Sequence, residues 1–238
     1  MSKHTEAIRE ARPILFSAPM VRAILDGRKT QTRRICKPQP YSNGFHFDGR
    51  DIQCHNDYLP PSAMLMEVGR GRNKYTTSNY EGWAVDCPYG APGDRLWVRE
   101  SLRPTRCDRG YIVDWHYAAD GAKVPRCPDL KPQFNDGMAF AHLARAGVPS
   151  IHMPRWASRI TLEITDVRVE RLQEISEDDC VAEGVNQRWT CISPGAGSYA
   201  HENDVRDDYR SLWERINGAD SWDANPWVWC VSFCKAKD

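Results

Sequence analysis

The densest run of side chains able to do chemistry is Gly27-Arg28-Lys29-Thr30-Gln31-Thr32-Arg33-Arg34. It follows a helix stop and leads into a strand. Backbone N–H groups at such a junction are free, and clustered cations attract anions such as phosphate. The same pattern suits a solvated edge strand protected from aggregation by charge. Spacing alone leaves both readings open. In a regular strand Lys29 and Thr32 point to opposite faces, so they converge only if Lys29 still lies in the turn. A second group, Trp97, Arg99 and Glu100, ends another strand. Glu100 there could hydrogen-bond a base edge or form a surface pair with a neighbouring cation. Glu183 stands just before Gly184, where a negative charge is poorly placed for a helix dipole. Trp97, Trp227 and Trp229 could floor a cleft or pack a core.

The elements that must position these groups are short. Ile14 to Phe16 reads as a buried strand, and Ser17 as the cap of a helix with Pro19 in its first turn. Gly27 stops that helix. The segment 28–35 is expected to be extended, with its threonines favouring a strand. Alternation over Arg95 to Glu100, after the Pro92-Gly93-Asp94 turn, marks a second strand. Arg159 to Val169 marks a third. Ser176 opens a short helix that Gly184 closes. Val205, Tyr209, Leu212, Trp213 and Ile216 define one face of an amphipathic helix. Pro226 introduces a closing strand to Phe233. Between these lie two irregular stretches, about 38–92 and about 103–153. The first is expected to be loops with one short strand near 63–68, the second to hold a hairpin at 111–117 and a helix at 138–145.

Composition bounds the function. The chain has 238 residues with 32 Lys plus Arg and 32 Asp plus Glu, so a basic nucleic-acid coat is excluded but a local patch is not. Mean hydropathy is −0.64, which suits a modest core with polar loops. No apolar run reaches membrane-helix length and residues 1–12 lack a signal-peptide core, so a cytoplasmic protein without a membrane partner is expected. The nine cysteines contain no Cys-x-x-Cys pair and give no zinc-knuckle spacing. They are expected to be mostly free thiols, and no metal or cofactor is expected. No phosphate-binding glycine loop, nucleophile elbow or zinc-protease motif is present.

Gly27, Lys29, Thr32 and Arg34 match the Gly-x-Lys-x-x-(Glu/Thr)-x-Arg signature, and so resemble ASCH-domain proteins of the PUA-like superfamily. Gly93 to Glu100 looks like that family's Gly-Asp barrel strand, 176–184 like its short helix ending in a Glu, and 226–233 like its closing strand. The likeness is greatest to longer ASCH proteins of phages and prophages. It leaves about half the chain unmatched. The resemblance implies one mainly-β α+β domain over 1–238, a partly closed β-barrel with short flanking helices and two long insertions. It implies recognition of a nucleobase, nucleoside or nucleic acid, whether RNA or modified DNA. Three positions also resemble a branch that hydrolyses N4-acetylcytidine. On that likeness Lys29 would be the general base, Thr32 the activated hydroxyl or the group orienting a water, and Glu183 the proton shuttle. Arg34 or backbone N–H groups would hold the amide oxygen. Arg28, Arg33, Arg34, Arg99, Glu100, Trp97 and Trp229 would contact ligand. A non-catalytic binding module and a nuclease are the competing readings; the nuclease lacks an acidic metal cluster. The oligomeric state is not legible.

Overall fold

A computed structural model describes residues 11–37, 39, 46–47, 50–51, 63–66, 73–77, 80–110, 112–125, 147–185, 189–193, 198–201 and 204–236, with side chains described outside 46–85 and 189–201. The chain forms two compact units. Unit one holds 1–27, 94–163 and 235–238; unit two holds 28–93 and 164–234. Strands dominate and helices are few, so the class is α+β and mainly β. No ring of strand pairings closes among the described residues.

In unit one, β1 (Arg12–Leu15) runs parallel to β8 (Arg95–Arg99), with Leu15 opposite Arg99. The first residues of β11 (Thr161–Arg171) lie antiparallel to β8. Helix α1 (Ala18–Leu25) starts at Ser17 with proline in its first turn and buries Val21, Ala23 and Ile24. Gly27 follows at φ +74°, a conformation that costs glycine little and an L side chain much. β9 (Leu102–Arg106) and β10 (Ile112–Tyr117) make a hairpin, of which the span expected to hold a whole hairpin, 111–117, supplies only the second strand. Its inner face packs Leu102 and Tyr117 with Val124, Val148, Met153 and Ala157. The helix expected at 138–145 lies outside the described residues.

In unit two, β2 (Gln31–Ile35) pairs antiparallel with β14 (Trp227–Lys235). Ser176 accepts from the Asp179 N–H at 3.1 Å and so caps α2 (Glu177–Ala182). Asp204 caps α3 (Val205–Asn217) through the Arg206 N–H at 2.8 Å. One stripe of α3, Val205, Tyr209 and Trp213, packs with Leu172, Ile175, Cys180, Trp222 and Val228. Ile216, expected on that stripe, is 49% exposed, because the apolar face ends one turn earlier. The 38–92 stretch holds more strand than periodicity suggested. β5 (Ala63–Met66), β6 (Asn73–Thr77) and β7 (Tyr80–Asp86) form an antiparallel sheet in the order β5–β7–β6, and β3 (His46–Phe47) pairs with β4 (Arg50–Asp51). Polar residues such as Asn73, Lys74, Thr76 and Thr77 dilute the hydrophobic alternation that marks a strand in sequence. A second two-stranded ribbon joins β12 (Trp189–Ser193) to β13 (Ser198–His201).

Candidate functional site: a buried charge network in unit two

Lys29 lies in the turn before β2, not in the strand. The turn is tied to the end of α2, where the Thr30 N–H donates to the Ala182 carbonyl at 2.8 Å. Gly184, at φ +87°, ends that helix. The last carbonyls of a helix lack partners within it, and a cation is favoured there. Lys29 fills that role. Its Nζ donates to the Glu183 carbonyl at 2.8 Å, to Glu183 Oε2 at 2.7 Å and to the Gln31 carbonyl at 2.7 Å. An ammonium has three donors, and three acceptors meet it. Lys29 is 2% exposed and Glu183 4%. Burial pulls the Lys29 pKa below its ordinary value, and the Glu183 carboxylate works against that fall.

Arg33 sits two residues beyond Gln31 and shares its face of β2. It is buried, and its guanidinium is held entirely from within. Nε donates to Glu170 Oε1 at 2.8 Å, Nη1 to Gln31 Oε1 at 2.6 Å, and Nη2 to Asp179 Oδ2 at 2.8 Å, with a further bond from Nη2 to Glu170. Glu183 Oε1 lies 3.5 Å from Nη1. Arg168 closes the network, donating to Glu170 Oε2 at 3.0 Å and Asp179 Oδ2 at 2.8 Å. Cys230, opposite Arg33 in the strand register, donates through Sγ to Glu170 Oε1 at 3.0 Å. Lys29, Arg33 and Arg168 are thus balanced by Glu170, Asp179 and Glu183. Burial alone opposes the Asp179 charge, yet the adjacent Arg33 and Arg168 cations hold its carboxyl below the usual range.

The structure brings together Lys29 and Glu183, 154 positions apart in sequence. It does not bring Thr32 to them. Thr32 is buried on the opposite face of β2, in register with Val231. Arg33 is neutralised and enclosed, so it has no donor left for a ligand. Arg28 is exposed, and Arg34 is half-buried opposite Trp229, near Tyr89. Trp229 is 1% exposed and presents no ring face to a ligand. The basic run is therefore two accessible cations and two buried ones. Glu170, Asp179 and Arg168 were not singled out from sequence; the alternation of Arg168 and Glu170 on β11 was the only local signal.

The remaining candidates lie in unit one. Glu100 is buried, accepting from Arg159 Nε at 2.9 Å and Nη2 at 3.1 Å. Arg159 also binds Asp120 at 2.7 and 3.1 Å and stacks 3.8 Å over the Tyr117 ring. Burial raises the Glu100 pKa, against the pull of Arg159. Both Glu100 oxygens are occupied, so it is an internal clamp, not the exposed end of a strand. Trp97 carries Arg99 at 5.3 Å and Arg155 at 5.5 Å from its ring centroid.

The six cysteines with described surroundings, Cys36, Cys87, Cys107, Cys180, Cys230 and Cys234, are free thiols. Among the described residues no group of three or more His, Cys, Asp or Glu could hold a metal ion. None of their helices is long and apolar enough to cross a membrane. No protein-family model, curated protein or solved structure matches this chain.

Proposed function

We propose that this chain is a PUA-like ASCH protein that recognises a nucleobase or nucleoside, free or within RNA or modified DNA, through the β2–α2 region of unit two. The observation that carries the reading is the meeting of Lys29 and Glu183 at 2.7 Å in the interior. These are two of the three positions by which the sequence resembles the N4-acetylcytidine-hydrolysing branch. A buried ion pair is weak evidence for stability, since desolvation offsets much of the Coulombic gain. A network of six charges joined to one turn instead suits a framework that holds that turn in one conformation. Arg28 and Arg34, next to the turn, are the cations a ligand can reach.

Recognition is favoured over hydrolysis by two features. All three Lys29 donors are engaged, so the amine has no lone pair to act as base while the network stands. Thr32 lies across the strand from Lys29 and Glu183. Hydrolysis is the second reading, favoured by the burial that lowers the Lys29 pKa.

The test incubates the intact protein and Glu183→Gln with N4-acetylcytidine and separates products by chromatography, while calorimetry measures binding of cytidine and N4-acetylcytidine. Binding without cytidine release supports recognition. Cytidine release that Glu183→Gln abolishes makes the protein an amidohydrolase. Neither binding nor turnover, with modified oligonucleotides also inert, overturns the proposal.

A further inference from the structure

We propose that Arg99 and Arg155, held against Trp97 in unit one, form a binding site for the phosphate of a phosphate monoester. Trp97 and Arg99 are two apart on β8 and so share a face. Arg155 comes from the single turn Arg155–Ala157. Both guanidiniums lie within 5.5 Å of the indole centroid. An indole face attracts a cation, but two cations on one ring repel each other. Four arginines of this chain are neutralised: Arg159 by Glu100 and Asp120, Arg33 and Arg168 by Glu170 and Asp179, Arg210 by Glu214. Among the described residues Arg99 and Arg155 have no carboxylate. Arg99 donates through Nη2 to the Ile151 carbonyl, and its buried Nε has no hydrogen-bond partner.

An oxyanion removes that mutual repulsion. Phosphate fits better than a carboxylate. A monoester brings about −1.5 to −2 charge near neutral pH and three acceptor oxygens, against one charge and two oxygens. Guanidinium forks match that oxygen geometry. Trp97 is 9% exposed, so its part is to hold the cations, not to stack on a base. Arg155 is exposed, which gives the ligand access. The site does not depend on the reading of unit two.

The test titrates inorganic phosphate, and acetate at matched ionic strength, into the full chain while following arginine Nε–Hε resonances by NMR. Saturable shifts with phosphate and not with acetate are expected. Arg155→Gln, an exposed position that leaves folding intact, should weaken phosphate binding about tenfold, the loss of one charge-assisted contact. Arg109→Gln, exposed in the β9–β10 turn, should change nothing. Phosphate binding unaffected by Arg155→Gln, equal response to acetate, or no response by the intact chain overturns the proposal.

Discussion

At the residue scale the Lys29–Glu183 pair makes a sharp prediction. Each charge is buried, so removing one leaves the other unpaired in a low-dielectric site. Lys29→Met and Glu183→Leu should each destabilise by about 3–5 kcal/mol, and the double variant by less than their sum. Urea unfolding of the four proteins checks this; strict additivity would mean that the two side chains do not interact. The network also has a pH signature. Asp179 titrates below its ordinary value of 3.8 in the folded chain. In the window below about 4 the unfolded chain therefore binds more protons, and stability rises with pH. The Asp179 contribution is fully present above that window and is lost as pH falls through the folded value. Asp179→Asn should flatten this part of the acid limb in a stability–pH series. The thiols divide by burial: desolvation raises Cys180 to about 12 and Cys230 well above its ordinary value, while Cys234 is exposed. A thiol reagent followed by peptide mapping should label Cys234 in the native protein and spare Cys180 and Cys230 until unfolding.

At the element scale the site depends on how α2 begins and ends. Ser176→Ala removes the cap at its start and should cost about 1 kcal/mol in thermal unfolding, with the Lys29–Glu183 contact intact. Gly147 is a second element-level constraint. Val148 and Leu102 exchange both backbone hydrogen bonds, and a Cβ on Gly147 would collide with the Leu102 carbonyl oxygen. Gly147→Ala must therefore shift backbone, and its melting temperature should fall clearly; an unchanged value would mean that the 147–148 segment moves freely. These elements were largely legible. The caps at Ser176, the glycines at 27 and 184 and the 3.6-residue spacing of Val205, Tyr209 and Trp213 are local signals, and local signals carry helix ends and faces. Of the β5–β7–β6 sheet only β5 was legible, as the short strand expected near 63–68; β6 is polar, and the pairing is set by partners distant in sequence.

At the scale of the whole molecule the charge balance is the governing quantity. With 32 basic and 32 acidic residues there is no net attraction to a polyanion. Of the basic run only Arg28 and Arg34 are accessible. Binding to an unmodified single-stranded oligonucleotide should show a log–log salt slope no steeper than about −2 by fluorescence anisotropy. A slope beyond about −5 would require a basic face built from other residues. What the sequence by itself determined is the set of features that depend on neighbours along the chain: the α+β, mainly-β class, the helix starts and stops, the principal strands, and Lys29 and Glu183 as residues of interest. Alternation required Lys29 to lie in the turn if it was to converge with Thr32; Lys29 does lie in the turn, but Thr32 faces away and Glu183 is the partner. Tertiary structure alone decided which charges are neutralised. Arg33 reads as a ligand contact in sequence and is enclosed by Glu170, Asp179 and Glu183; Arg155 reads as nothing and stands on Trp97 without a carboxylate. The reason is physical: a charge's role follows from its burial and its partners, and these stand far off along the chain, 137 to 150 positions for the carboxylates around Arg33.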